Sequence, residues 1–356
     1  MLTGGGNNRR NRVRPIGVLF AVLWVFCCLW NPPLLSDLRL RAFDVLMREF
    51  PPPSGEAQVV VIDVDSQSLA DLGQWPWPRH RIAELLRSII VAGPKVIGLD
   101  MLFAEPDRSS PRRLATAGGG EGIPQTVRSY LDRLPDHDLL LADVLSSSPV
   151  PIVLGHIFSD TEDTRSFLPA NIPGNVPFAF RGEDPASFLY AFNGVEGNLE
   201  LFEQAAQGSG FLNIIPDHDS IVRRVPLLVQ YEGQVYPCLT LAMLHAAMNY
   251  GVPHPEAVQI LSDRHGVQSL RVGPSSSGIS IPVTVESELI VRFMGPAGTL
   301  PYLSAIDILA GQFDPTLLQN AYVLIGSSAP GLFDNPTVPT DRVFPGVEFH
   351  GHALTT

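Results

Sequence analysis

The sequence predicts an α/β fold: a mostly parallel sheet flanked by helices, with an antiparallel hairpin insertion and one N-terminal transmembrane helix. Three observations carry this reading. The runs Gln58–Val64, Lys95–Met101 and Tyr322–Gly326 are rich in β-branched residues and apolar on both faces, as strands buried in a parallel sheet are. Between the first two lies a segment of helical period, Arg79–Ala92, which makes a strand–helix–strand unit with a right-handed crossover. And Pro15–Ser36 runs for 22 residues without a charge.

Within it Ile16–Trp30 is nearly pure Leu, Val, Phe, Trp and Ala and Asn31-Pro32-Pro33 caps it, so the run is near the shortest length that spans a bilayer, about 17 residues. Its alternatives are a cleaved signal peptide and a buried core helix. The run ends Cys27-Cys28-Leu29-Trp30-Asn31-Pro32, which offers no small-residue cleavage site. A core helix would not carry Arg9, Arg10, Arg12 and Arg14 ahead of it and Pro32-Pro33 directly behind. The positive leader places the N-terminus inside and the body outside the cytoplasm. The expected organisation is therefore a leader over residues 1–14, a membrane helix over 15–36 and an extracytoplasmic domain over 37–356.

The elements follow in order. Asp37–Arg48 has Leu38, Ala42, Val45 and Leu46 at helical spacing, and Pro51-Pro52-Pro53 stops it. After the strand at Gln58–Val64, Pro78 starts the helix at Arg79, and Gly93-Pro94 ends it. Ala104–Gln125 reads as loop. Asp136 opens a helix with Leu139, Leu140, Val144 and Leu145 on it, and Pro151–Gly155 is a third strand. Thr161–Ala191 has no assignable period. Leu199–Gln207 is a short helix. Phe211–Ile215 and Val222–Tyr231 flank Pro216–Ser220 and read as an antiparallel hairpin with a wide turn. Leu239–Tyr250 is helical, Leu289–Phe293 a strand, Ser304–Ala310 a helical turn, and the tail Phe344–Ala353 mixed. The late strand is expected to rejoin the early ones, giving one discontinuous domain.

Composition excludes several classes. With 45% apolar residues the chain can bury a core, so it is not disordered. With one possible span it is no polytopic transporter. Its 24 basic and 36 acidic residues leave a net charge of −12, and four of the Arg lie in the leader, so the body is a poor partner for nucleic acid. The sole lysine, Lys95, opens a strand, which removes a phosphate-loop lysine. Cys238 stands alone in the body and reads as packing at a buried helix start. No cofactor is expected.

Catalytic motifs do not survive their context. Gly118-Gly119-Gly120-Glu121-Gly122 follows no strand and is a linker. Gly326-Ser327-Ser328 begins like a nucleophile elbow, but Pro330 replaces its last glycine, so a small-residue turn is expected. Asp217-His218-Asp219 and His350-Gly351-His352 are dense in metal-ligand types, yet neither has further ligands at fixed spacing. The strand-end acids carry more. Asp63 and Asp65 close the first strand and Asp100 the second, where open α/β sheets bind ligands. With Arg79 they form the candidate ligand site, suited to a cation, an amine or a sugar; no catalytic and no metal residue is assigned. Equally, each acid could cap a loop or pair with Arg79 or Arg81. Trp75-Pro76-Trp77-Pro78 could line that pocket or simply pack the connection.

Taken together, VVVIDVD (Val59–Asp65), GQWPWPR (Gly73–Arg79), VIGLDMLFAEPD (Val96–Asp107), GFLNIIPDHDSIVRRVPL (Gly210–Leu227), AIDILAG (Ala305–Gly311), YVLIGSSAPGLFD (Tyr322–Asp334) and PGVEFHGHA (Pro345–Ala353) resemble the second class of CHASE sensor domains. The resemblance covers most of the chain in one order. Ser220 departs from the Asp-Gly usual in the family's turn, and His350-Gly351-His352 varies its tail. The resemblance implies an extracytoplasmic input domain that binds an unidentified small-molecule or ionic signal. It also implies that membrane helices and a nucleotide cyclase or kinase follow, so the chain is expected to be the front part of a longer receptor. A second copy of the chain is the expected protein partner. The rival expectations are a membrane-anchored periplasmic hydrolase using the strand-end carboxylates, and a non-catalytic scaffold.

Overall fold

A computed structural model describes residues 17–22, 24–26, 33–52, 58–116, 124–161, 176–252, 255–274, 276–329 and 335–356. The chain divides into two compact units, Met1–Pro51 and Pro52–Thr356. In the first, residues 17–22 and 24–26 are helical and α1 spans Pro33–Glu49, ending ahead of the prolines. Among the described residues no helix is long and apolar enough to cross a membrane. The expected spanning helix over Pro15–Ser36 is therefore not supported as one element; positions 15–16, 23 and 27–32 lie outside the described residues.

The second unit begins with β1 (Val59–Asp63), then α2 (Ser66–Leu72), α3 (Arg79–Val91) and β2 (Val96–Leu99). The expected loop at 104–125 instead holds α4 (Pro111–Thr116) and leads into α5 (Gln125–Leu131). Both are helices of two turns at most, too short for a period to show in sequence. Next come α6 (His137–Ser147), β3 (Ile152–Ser159), β4 (Phe178–Gly182), β5 (Tyr190–Phe192), β6 (Gly194–Glu196), α7 (Glu200–Ala205) and β7 (Gly208–Phe211). They are followed by β8 (Arg224–Pro226), β9 (Leu228–Tyr231), β10 (Gln234–Pro237) and α8 (Leu239–Asn249). The chain continues with β11 (Val258–Asp263), β12 (Gly266–Val272), β13 (Ile279–Pro282), β14 (Glu288–Ile290), β15 (Tyr302–Ser304), α9 (Ala305–Leu309), β16 (Tyr322–Gly326) and α10 (Gly346–Thr355).

The main sheet is parallel in the order β15-β1-β16-β2-β3-β7, with β6 antiparallel to the end of β3. The late strand β16 thus does rejoin the early sheet, and it lies between β1 and β2. Every residue of β1 is buried, and its alternate side chains enter different cores. Val60 and Ile62 meet Ile82, Leu86 and Leu145, from α3 and α6. Val59 and Val61 join Met243, Val347 and Phe349, from α8 and α10. This two-sided burial explains why the strand has no polar face.

The antiparallel part differs from expectation. Phe211–Ile215 does not pair with Val222–Tyr231. Phe211 belongs to the parallel sheet, and Arg224–Pro226 pairs with β14 more than sixty residues away. Pro226, lacking an N–H, ends that strand, and the true hairpin is β9–β10. Its turn residues Glu232 and Gly233 both have positive φ, 49° and 76°, as a two-residue type I′ turn requires. Strands β11, β12 and β13 form a meander with β4 parallel to β11. The mixed tail is a helix, α10.

Close approach fixes one glycine tightly. A Cβ on Gly210 would lie 2.7 Å from the carbonyl carbon and oxygen of Cys238 and from the Cα of Leu239, all backbone at the start of α8. At Gly98 the obstruction is the flexible end of Met243. We therefore expect Gly210→Ala to lower unfolding free energy by about 3 kcal/mol, the upper end for overpacking, and Gly98→Ala by about 1 kcal/mol. Urea denaturation of both variants checks this; equal losses would show that the α8 backbone yields as easily as a methionine side chain.

Candidate functional site

The carboxyl ends of the parallel strands gather the acids, as expected, but hold them differently. Asp63 is buried at the end of β1, where its carboxylate accepts from the Ser328 backbone N–H at 2.7 Å and from the Ser328 hydroxyl. Burial raises its pKa, the Ser328 hydrogen bonds oppose that, and Asp65 adds to it. Asp65 caps α2, accepting from the Ser68 N–H at 2.8 Å. These two acids are thus engaged by loops, as one of the sequence alternatives had it. Ser327 is engaged too: its hydroxyl donates to the Val64 carbonyl at 2.8 Å, so Gly326-Ser327-Ser328 is a strand-end turn.

Arg79 does not meet them. Its guanidinium donates to the Glu105 carbonyl at 3.2 Å, lies 4.7 Å over the Phe103 ring and stands 4.0 Å from Asp138. Its backbone N–H donates to Asp107 at 2.8 Å, and His137 approaches the same carboxylate at 3.0 Å. Burial lowers the Arg79 pKa, while Asp138 and Asp107 oppose the shift. Arg79 lines a separate pocket of about 330 Å³ with Trp77 and Asp107. There Trp77 is buried and donates to the Gly73 carbonyl at 2.9 Å, so the tryptophan loop packs.

Asp100 is the exception among the acids. Its N–H closes the β16 ladder on the Ile325 carbonyl at 2.8 Å, but its carboxylate has no hydrogen-bond or charge partner among the described residues. It faces a cavity of about 600 Å³ with aliphatic walls, including Ile157, Leu212, Val222 and Val347. A Cβ on Gly346, the first residue of α10, would stand 4.0 Å from its Oδ2, so a helix N-terminus favours the anion. Burial is the dominant influence and pushes the Asp100 pKa up to about 7.

Sequence reasoning missed the second polar group of this cavity. His350, on α10, lines it, is 1% exposed, and its Nδ1 has no partner. Burial lowers its pKa to about 4, and a backbone contact at Leu212 that favours the charged ring opposes this. The ring is therefore neutral at pH 7. Its neighbour His352 points elsewhere: its Nε2 lies 3.6 Å from Glu348, and its Nδ1 accepts from the Met294 N–H at 3.3 Å. His350 and His352 are thus no pair of ligands. Two residues apart on a helix they face different ways, a signal present in the sequence once the tail is known to be helical.

The other dense cluster is also resolved. Arg223, 2% exposed, donates to Asp217 at 2.8 Å and to both carboxylate oxygens of Asp219 at 2.9 and 2.8 Å. Asp217-His218-Asp219 is an arginine-braced turn, and no metal-binding group of three or more such residues occurs among the described residues. Ser220, where the sequence departs from the usual Asp-Gly, has φ of 64°, a conformation glycine adopts freely. Cys238 caps α8 through its Sγ, and burial pushes its pKa up to about 12. A second groove, of about 560 Å³, lies by Ile281, Leu289 and Leu354; its acid, Glu288, is already held by Tyr190 and Arg224.

In open α/β sheets ligands bind outside the carboxyl ends of the strands, which is where this cavity lies. The chain belongs to the CHASE2 domain family, a family of sensory domains, whose family model matches residues 20–356. No curated protein and no solved structure matches it.

Asp100 makes a measurable prediction. Its folded pKa of about 7 lies above the ordinary carboxylate value of 3.8, so the folded chain keeps the proton longer than the unfolded one. Ionisation between those values costs the folded state. His350 and His156, lowered by burial to about 4 and about 3, act with the opposite sign below pH 6.5. The difference between variant and wild type isolates the acid. Asp100→Asn should gain stability over wild type progressively from about pH 4 to about pH 7 and level off above. Chemical denaturation across that range checks it; a margin independent of pH would mean that Asp100 titrates as an exposed carboxyl.

Proposed function

We propose that this chain is the extracytoplasmic signal-input domain of a bacterial transmembrane receptor, with its signal received at the carboxyl ends of the parallel strands. The observation that carries the reading is the coincidence of CHASE2 membership over residues 20–356 with a strand-end cavity holding an unpartnered acid. The output is assigned to a nucleotide cyclase or a protein kinase carried elsewhere in the receptor, with a cyclase preferred on family resemblance alone. The Arg-led run at 15–36 is assigned to the membrane. Leu19, Phe20 and Trp24 there are helical and roughly 70% exposed, and such side chains belong against lipid or protein rather than water. On α1, Leu38, Val45 and Leu46 are each more than half exposed, which supports a second copy of the chain as a partner.

The topology is tested by fusing a reporter that fluoresces only in the cytoplasm. Placed ahead of Met1 it should be bright; placed after Arg48 it should be dark, and a bright Arg48 fusion would reverse the orientation. The signal site is tested in the intact receptor by Ile157→Trp, which fills the mouth of the cavity. Output should change; an unaltered response would put the site elsewhere.

A further inference from the structure

The cavity beside Asp100 constrains what can occupy it. Among the described residues that line it there is no lysine or arginine to hold a carboxylate or a phosphate. Beside the exposed Ser220 and Asn335, two lining groups without a partner, Asp100 and His350, can accept. Asp100 offers carboxylate oxygens without a partner. His350 offers Nδ1, which is buried without a partner and accepts in the neutral tautomer that carries its proton on Nε2. Such a buried acceptor is costly unless something donates to it. No metal-binding group of three or more His, Cys, Asp or Glu occurs among the described residues, here or elsewhere. The walls contributed by Ile157, Leu212, Val222 and Val347 are aliphatic. About 600 Å³ is the size of a small-molecule site. The chain's charge of −12 draws cations toward it.

We propose that this cavity binds an organic ammonium ion with an apolar body, its N–H groups donating to Asp100 and His350 and its hydrocarbon part lying on the aliphatic walls. The inference rests on the sensory reading above and names the chemical class of the signal. The ammonium neutralises the one strand-end acid that the fold leaves unpaired, and the uncharged imidazole supplies a second acceptor without repelling the cation.

The test uses the full chain in detergent and three probes of one shape: 2-phenylethylamine, 2-phenylethanol and 3-phenylpropanoate, followed by saturation-transfer NMR. The amine should bind saturably, more tightly than the alcohol, and the carboxylate should not bind. Asp100→Asn, which circular dichroism should show folded, should weaken the amine about 10- to 100-fold, the value of one charge-assisted hydrogen bond, and leave the alcohol unchanged. Ile157→Trp should abolish both, since it removes space and no charge. The idea is overturned by absence of amine binding up to about 10 mM, weaker than most specific small-ligand affinities, by carboxylate binding as tight as the amine's, or by an amine affinity indifferent to Asp100→Asn. None of those results touches the topology or receptor-output measurements, so failure here and failure of the sensory reading are told apart.

Discussion

Glu348 is the point on which the cavity wall depends. Its carboxylate, fully buried on α10, accepts from the backbone N–H groups of Gly298, Thr299 and Leu300 at 2.8, 3.0 and 3.2 Å and from the Tyr302 hydroxyl at 2.8 Å. Burial would raise its pKa, yet the nearby His352 ring and the hydrogen bonds from Gly298, Tyr302 and Leu300 outweigh that and hold it low. One side chain thereby ties the last helix to the loop that enters edge strand β15. Gly351 completes the seating, since a Cβ there would collide with Leu300 and press on Val59 of β1. With α10 fixed in this way, its first residues stand over Asp100 and its fifth, His350, is pressed against the cavity.

The same sheet ends show how burial and partnership sort like residues into different roles. Asp63, Asp65 and Asp100 have equal chemistry. Ser328 occupies the first, the N-terminus of α2 accepts the second as its cap, and the third has no hydrogen-bond partner among the described residues, only the N-terminus of α10 about 4.0 Å away. Two buried arginines of the unit are compensated: Arg223 by two aspartates, Arg79 by a carbonyl, an aromatic face and Asp138. Asp100 has no such partner, and acids with perturbed pKa in clefts collect at functional sites.

How much of this was legible in the sequence depended on how local its cause was. β1, β2, β16 and α3 could be read because their burial shows as composition: Val59–Ile62 cannot be anything but interior, and Ile82, Leu85, Leu86 and Ile89 repeat at helical spacing. Cys238 at a buried helix start was readable for the same reason. The hairpin at 211–231 was misread because its apolar residues are real but their partners are distant: β8 pairs with β14, a fact no local window holds. The meander β11–β13 and the helices at 111–116 and 125–131 left no pattern strong enough to find. At the site, Asp100 followed from its place at a strand end. Arg79 sits at the start of a helix whose direction sends its guanidinium toward Glu105, which only packing decides. His350 was invisible as a cavity residue until the tail proved helical.

The position of β16 has a consequence for how the molecule comes into being. Residues 322–326 sit between residues 59–63 and 96–99, so the two earliest strands of the sheet have no direct contact to make with each other. A nascent chain that has emerged through β3 holds several buried-type strands without their common neighbour, and the loops that must close are more than two hundred residues long. Folding driven by such distant pairings is slow, because the entropy of closure is spent before contacts repay it. Some 320 residues must therefore be synthesised before the sheet can be completed.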